Sequence, residues 1–153
     1  MDKRKIIIVD DNPSIPPLLR EIIDLESDLT VACEAANKEE FFGCLAKNNL
    51  DVALMDLSLK EREGGLDIVE ELRRQKKSLP VIIVSAYDEY LYGLRSLNLG
   101  ANGFISKNFL VSELIQGIRC VLEGKPYVSG PKGETIVKMW KEDQKKVKTS
   151  SSS

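Results

Sequence analysis

Three aspartates, a serine and a lysine stand at the ends of short apolar runs. Ile6–Val9 leads into Asp10 and Asp11, Val52–Met55 into Asp56, Val81–Val84 into Ser85, and Phe104–Ile105 into Ser106 and Lys107. Two carboxylates roughly 5 Å apart repel by about 3 kcal/mol at an effective dielectric of about 20, so three converge stably only when protonated or neutralised. A hard divalent cation neutralises them, and Mg2+ favours one or two carboxylates together with waters and a phosphate oxygen. Lys107 adds a further positive charge. In such surroundings Asp56 can act as a carboxylate nucleophile and form an acyl phosphate. Mg2+, Lys107 and the Ser85 hydroxyl would then stabilise the phosphoryl oxygens.

Taken singly, each residue has an ordinary alternative. Asp10, Asp11 and Asn12 could satisfy amide hydrogens at the start of a helix. Ser85 could be a turn residue, Lys107 a solvated charge and Phe104 a core aromatic. Asp56 resists this treatment, because an acid closing a buried strand is costly without a partner. The ordinary alternatives would all have to coincide at four strand ends.

The apolar runs must be strands for the acids to meet. Expected strands are about Lys5–Val9, Leu29–Ala35, Asp51–Met55, a fourth opened by Pro80, and about Gly103–Ser106. Between them lie segments of helical period. Ile15, Leu18, Leu19, Ile22 and Ile23 follow Asp10 and Asp11, with Pro16 and Pro17 near the helix start, where a missing amide hydrogen matters little. Asn37 is a good cap for a helix carrying Phe41, Phe42, Cys44 and Leu45 inward. Leu66, Ile68, Val69 and Leu72 mark a third helix. Asp88–Leu99 forms a fourth that stops at Gly100, and Val111–Leu122 a fifth that closes with Gly124.

Five strand–helix alternations imply an α/β domain over residues 1–124: one five-stranded parallel sheet with helices on both faces. IIIV, VALM and VIIV are apolar without alternation, as strands covered on both faces should be. Right-handed crossovers with a reversal after the first unit correspond to strand order 2-1-3-4-5, which is carried over from known doubly wound sheets. That order sets the first strand beside the third, the third beside the fourth and the fourth beside the fifth. Neighbouring strands are roughly 5 Å apart, so the acids, Ser85 and Lys107 would line a crevice at the strands' carboxyl ends, where open α/β sheets bind ligands.

Composition narrows the chemistry. The 153 residues contain no histidine, which excludes histidine kinase, Ser-His-Asp and Cys-His chemistry and the usual zinc ligand sets. Cys33, Cys44 and Cys120 lack CxxC spacing and read as buried free thiols in a reducing, cytoplasmic setting. No run approaches the roughly 20 apolar residues of a membrane span, and the four apolar residues after the basic start are too few for a secretory signal. Net charge is −2; residues 132–153 hold six lysines against three acids (+3), which leaves −5 on residues 1–131. An acidic body argues against direct nucleic-acid binding by the main domain.

IIIVDDNP, ALMDLS, VIIVSAYDE and GANGFISKNF resemble, in order and spacing, the receiver domain of two-component response regulators. The resemblance covers about residues 3–124. It implies the flavodoxin-like receiver fold, with Asp56 as phosphoacceptor, Asp11 as direct ligand of Mg2+, Asp10 as ligand through water, and the Ser58 carbonyl as a further contact. It also implies that Ser85 and Lys107 contact the phosphoryl group and that Ser85 and Phe104 form the switch, Phe104 turning inward. A sensor histidine kinase would be the donor. The domain would be a signalling module rather than an enzyme, catalysing only its own phosphoryl transfer and dephosphorylation. The stretch ELIQGIRCVLEGKPYVSG looks most like the LuxR class, whose members often carry a C-terminal helix-turn-helix and regulate transcription. Two departures stand out. The loop Leu59–Gly65 is charged and lacks the family's common proline, and Ser85 replaces a commoner threonine.

Residues 125–153 read as a linker or tail. Ile136, Val137, Met139, Trp140 and Val147 give a partial apolar face that allows a sixth helix, and Lys148 to Ser153 read as disordered. The tail lysines read as a solvated face. No helix-turn-helix pattern follows, so the chain is expected to be either a stand-alone receiver or a regulator cut in its linker. Homodimerisation on phosphorylation, through the first and fifth helices or the fourth-helix face, is compatible with this pattern. Three rival readings remain: an interaction module of this fold that is not phosphorylated, an aspartyl phosphatase, and a nucleotide or flavin binder. The phosphatase typically needs two acids two residues apart after the first strand, where Asn12 stands. The nucleotide binder lacks GxGxxG.

Overall fold

A computed structural model describes residues 2–60 and 63–151, excluding the side chains of residues 147–151. The apolar runs are strands: β1 (Arg4–Val9), β2 (Leu29–Ala35), β3 (Val52–Asp56), β4 (Val81–Ser85) and β5 (Gly103–Ser106). Between them run α1 (Ile15–Asp24), α2 (Lys38–Lys47), α3 (Gly64–Arg74) and α4 (Glu89–Asn98). A single 3-10 turn (Lys107–Phe109) leads into α5 (Leu110–Leu122). Asn37 caps α2 as expected, its side chain accepting from the Glu40 amide at 2.8 Å, while the Glu40 carboxylate accepts from the Ala36 amide. Asp88 caps α4 in the same way, through the Tyr90 amide.

The sheet is wholly parallel, in the order β2-β1-β3-β4-β5 with one further strand beyond β5. Alternate strand residues feed two cores. Ile6, Ile8, Val52, Leu54, Ile82, Val84 and Ile105 pack beneath α1 and α5, through Leu19, Ile23, Leu114 and Ile118. Ile7, Val9, Ala53, Met55, Val81, Ile83 and Phe104 pack beneath α2, α3 and α4, through Phe41, Leu66, Val69, Leu72 and Leu97. Covered on both faces, β3 and β4 are buried at every position.

Three expectations need correction. The sheet has six strands, not five, because β6 (Tyr127–Val128) pairs with Gly103 and Phe104 along the outer edge of β5. Two residues are too few to show any periodicity, so Lys125-Pro126 reads as the start of a linker. The tail continues as α6 (Gly133–Ser151), which packs on α4 and β6 and runs through positions expected to be disordered. Ile136 is 1% exposed, and Val137 and Trp140 are half-buried against the core, whereas Met139 faces outward. The side chain of Val147 and the residues Ser152 and Ser153 lie outside the described residues. Finally, Cys33 and Cys44 are not free thiols but form a disulfide, and both are only half-buried. Cys33 on β2 and Cys44 on α2 pack against the same core, with Cα atoms 6.6 Å apart, a separation a disulfide spans. Cys120 is free and half-buried. Among the described residues no helix is long and apolar enough to cross a membrane.

Candidate functional site

The strand ends deliver the acids to one place. Asp10 and Asp11 follow β1 directly, and Asp56 is the last residue of β3, whose partner register sets Val9 beside Met55. Ser85 closes β4 opposite Ser106, the last residue of β5, and Lys107 comes next. Carboxylate oxygens of Asp10, Asp11 and Asp56 lie within 4.8 Å of one another. Lys107 Nζ is 3.9 Å from Asp56 Oδ1. Asp10 and Asp56 are 7% and 6% exposed, while Asp11 stands out in solvent.

Backbone amides fix each carboxylate. Asp10 Oδ1 accepts from the Asn12 amide at 2.8 Å, and Asn12 Oδ1 accepts from the Ser14 amide. The helix-start role and the convergence with Asp56 therefore coexist in one side chain. Asp56 Oδ1 accepts from the Ser58 amide at 3.4 Å, which places Ser58 at the edge of the site. The Ser85 hydroxyl, 1% exposed, accepts from the Tyr87 amide at 2.9 Å. Tyr87, itself exposed, leans on Tyr92 of α4.

The loop after β3 is where the sequence left the geometry open. Lys60 adopts a left-handed φ of 62°, and its amide donates to Asp11 Oδ2 at 3.1 Å. The loop thus closes on the site without the proline. Glu63 pairs with Arg95 of α4 at 2.6 Å, and Glu61 and Arg62 lie outside the described residues. Gly64 and Gly65 admit a close approach of α3 to β3. A Cβ at Gly65 would meet the Asp56 carbonyl at 2.0 Å, and one at Gly64 the Leu59 carbonyl at 1.7 Å. These glycines are what lets α3 begin against the strand that ends in Asp56.

Electrostatics follow from crowding and burial. Burial pushes the Asp10 carboxyl up to about 6, against the Asn12 amide, with Asp56 and Asp11 raising it further. Burial also raises Asp56, and Lys107 and the Ser58 amide pull it back. Three acids face one lysine, which leaves the cluster short of positive charge. An all-oxygen set of this kind fits a hard divalent cation.

Phe104 is 0% exposed and lies in the core shared with Tyr92, Val128 and Ile136. The expected inward turn therefore has a different starting point. The ring is already buried beside β6 and α6, while the Ser85 hydroxyl still bonds to the Tyr87 amide.

A family model described as the response regulator receiver domain matches residues 6–119. The oxygen regulatory protein NreC of Staphylococcus haemolyticus is 30% identical over 124 residues, covering 81% of this chain and 57% of that protein. The uncharacterized transcriptional regulatory protein YvfU of Bacillus subtilis is 31% identical over 121 residues, covering 79% of this chain and 60% of that protein. The chain thus spans less than two thirds of the length of these curated relatives. Among solved structures, a LuxR-family two-component response regulator from Aurantimonas sp. superposes with a TM-score of 0.77 at 24% identity, over 94% of this chain and 99% of that one. The non-phosphorylated receiver domain of RcsB from Escherichia coli gives 0.75 at 20% identity, over 84% and 100%. Both of these share the fold.

Proposed function

The chain belongs to the response regulator receiver domain family, and from that premise we propose that it accepts a phosphoryl group on Asp56 from a sensor histidine kinase and so switches a protein-interaction face. The observation that carries this reading is the convergence of Asp10, Asp11 and Asp56 within 4.8 Å, with Lys107 3.9 Å from Asp56. Asp10, Asp11, Asp56 and the Ser58 carbonyl would hold Mg2+. When bound, the cation supplies the positive charge that the acids and an incoming phosphoryl group require.

The protein's own groups carry the rest. An Asp56 carboxylate oxygen attacks phosphorus, and the donor's P–N bond (phosphohistidine) or P–O bond (acyl phosphate) breaks as the leaving group departs with its electron pair. Lys107, already facing Asp56, draws charge from a phosphoryl oxygen. The Ser85 hydroxyl accepts from the Tyr87 amide and still has its own proton to donate to a phosphoryl oxygen; a move toward that group would exchange part of its hold on Tyr87, in the loop leading into α4, for the new contact. Phosphorylation adds a charge of about −1.5 to −2 to drive that exchange. Phe104 responds from within the core, by repacking against Tyr92 and Ile136. Complete switching, from 1:99 to 99:1, requires roughly 5.5 kcal/mol of differential stabilisation, within reach of several charge-assisted contacts. Ser58 and Tyr87 flank the pocket and would tune water access. The domain is a signalling module that turns over only its own phosphoryl group. In a longer regulator of the LuxR class, its output would be transcription through a DNA-binding domain, with homodimerisation on phosphorylation. It would act in the cytoplasm.

Incubation with acetyl phosphate and Mg2+, followed by intact-mass analysis, tests the first step. We expect one added phosphoryl group, lost in Asp56→Asn and absent when Mg2+ is chelated. An unmodified wild type that also fails to bind millimolar Mg2+ would favour an interaction module of the same fold.

A further inference from the structure

The residue before Lys107 is held by Ser129, which follows β6 and lies outside residues 6–119, the part matched to the family. On the inner side, β4 pairs with β5 as far as Ser85 and Ser106. On the outer side, β6 pairs only as far as Val128 with Phe104, two residues short of the end of β5. Ser129 completes that side. Its amide donates to the Phe104 carbonyl at 2.9 Å, and its hydroxyl oxygen accepts from the Ser106 amide at 2.9 Å. Both serines are buried, so the Ser106 amide has no access to water in its place.

Ser129 is itself held firmly. Tyr127, two residues before it, and Gly130, next after it, are both tied to Glu113 on the first turn of α5. The Tyr127 hydroxyl donates to Glu113 Oε1 at 2.5 Å, and the Gly130 amide donates to Glu113 Oε2 at 3.0 Å. Gly130 turns the chain there with φ +85°, where a Cβ would meet the Glu89 carboxylate at 2.3 Å. Downstream of Ser106, the Lys107 carbonyl accepts from the Leu110 amide. The Lys107 backbone is thus clamped ahead by the 3-10 turn and behind by the Ser129 hydroxyl. Its ammonium sits 3.9 Å from Asp56, at the end of a side chain that starts from this clamped backbone.

We infer that Ser129 is a positioning residue for Lys107, so that phosphoryl acceptance on Asp56 depends on the hydroxyl that the β6 edge presents to the end of β5. This rests on the reading of Asp56 and Lys107 given above. Displacement of a reacting group by about 1 Å can cost on the order of a hundredfold in rate. Loss of one backbone hydrogen bond next to Lys107 should cost less, about tenfold.

The test is a double-mutant cycle on the full chain, with acetyl phosphate and Mg2+ as reagents and the rate of phosphorylation read by intact mass. Ser129→Ala should slow the reaction about tenfold, and Ser129→Thr, which keeps the hydroxyl, should stay within about twofold of wild type. In a Lys107→Ala background, Ser129→Ala should add nothing beyond about twofold, because the residue it positions is gone. Amide exchange at Ser106 and Lys107 should quicken in Ser129→Ala. If Ser129→Ala does not fold, Ser129→Cys, which keeps the volume and weakens the acceptor, takes its place in the cycle. Equal slowing in both backgrounds, or a wild-type rate and unchanged exchange in the Ser129 variant, overturns the inference alone. A wild type that takes no phosphoryl group overturns the reading of the site itself.

Discussion

The acid pocket and the outer flank of β5 treat polarity in opposite ways. The pocket gathers three carboxylates against one lysine and leaves the Asp10 and Asp56 carboxyls above their ordinary range. The flank, formed by β6 and α6 over β5 and α4, is packed with Phe104, Tyr92, Val128 and Ile136. There Gly93 lets α6 approach α4 so closely that an added Cβ would meet Val128 and Ile136 at 3.3–3.4 Å. The pocket gives up stability by gathering more negative charge than Lys107 offsets, a shortage of positive charge that a cation can fill. The flank contributes stability through the apolar packing of α6 on α4 and β6. One region is built to be incomplete and the other to be full.

Emptying the flank tests the sharper half of this contrast. Ile136 is almost wholly buried in the core that holds Phe104. Ile136→Ala should destabilise the protein by about 2–5 kcal/mol, the range for deleting a buried aliphatic side chain where the cavity cannot collapse. Urea denaturation measures it. A loss under about 0.5 kcal/mol would mean that α6 rests loosely on the domain, as a linker helix would, and the contrast would fail.

The two regions were unequally legible before the structure. The pocket could be read because each of its residues ends a run of apolar residues, and strand order alone then brings Asp11 to Asp56. Burial on both faces makes such runs unmistakable in β1, β3 and β4. The flank could not be read in this way. β6 has two residues, and α6 mixes a partial apolar face with lysines and acids, a composition shared by solvated linkers. Lys60 escaped notice because its contribution to the site is a backbone amide in a left-handed conformation, which its side chain does nothing to announce. The Cys33–Cys44 bond escaped because a strand and the following helix bring the two together across a turn, without a spacing motif.

Removing charge from the pocket should act in the opposite direction from emptying the flank. Asp10 is buried, and its carboxyl is pushed up to about 6, so its ionised form is disfavoured in the folded protein. Asp10→Asn keeps a carbonyl oxygen for the Asn12 amide and removes the charge. Without divalent cations, at neutral pH, the variant should be more stable than wild type by roughly 1–2 kcal/mol. Millimolar Mg2+ should stabilise the wild type and leave the variant nearly unmoved, closing or reversing the gap. Paired urea titrations with Mg2+ and with chelator measure both. A variant less stable than wild type in chelator would show that the acids are already balanced, and the pocket would lose its distinction from the flank.

The smallest expected effect probes whether the flank is as dry as its packing implies. Among the described residues, the buried side-chain polar atoms without a hydrogen-bond partner are Ser96 Oγ on α4 and Trp140 Nε1 on α6. A buried hydroxyl that makes no hydrogen bond carries its desolvation cost uncompensated, whereas replacing it with an apolar group of similar shape is close to neutral. Ser96→Ala removes that cost and leaves a void of about one oxygen atom, so the two terms nearly offset each other. Stability should change by no more than about 1 kcal/mol, with gain the favoured sign. Trp140, the chain's one tryptophan, reports the same packing by fluorescence, and its emission should hold its position in the variant. A loss above about 1 kcal/mol, or a red shift of that emission, would mean that the Ser96 hydroxyl is bonded in solution. The flank would then contain a polar network of its own, and α6 would be held to α4 by direction as well as by fit.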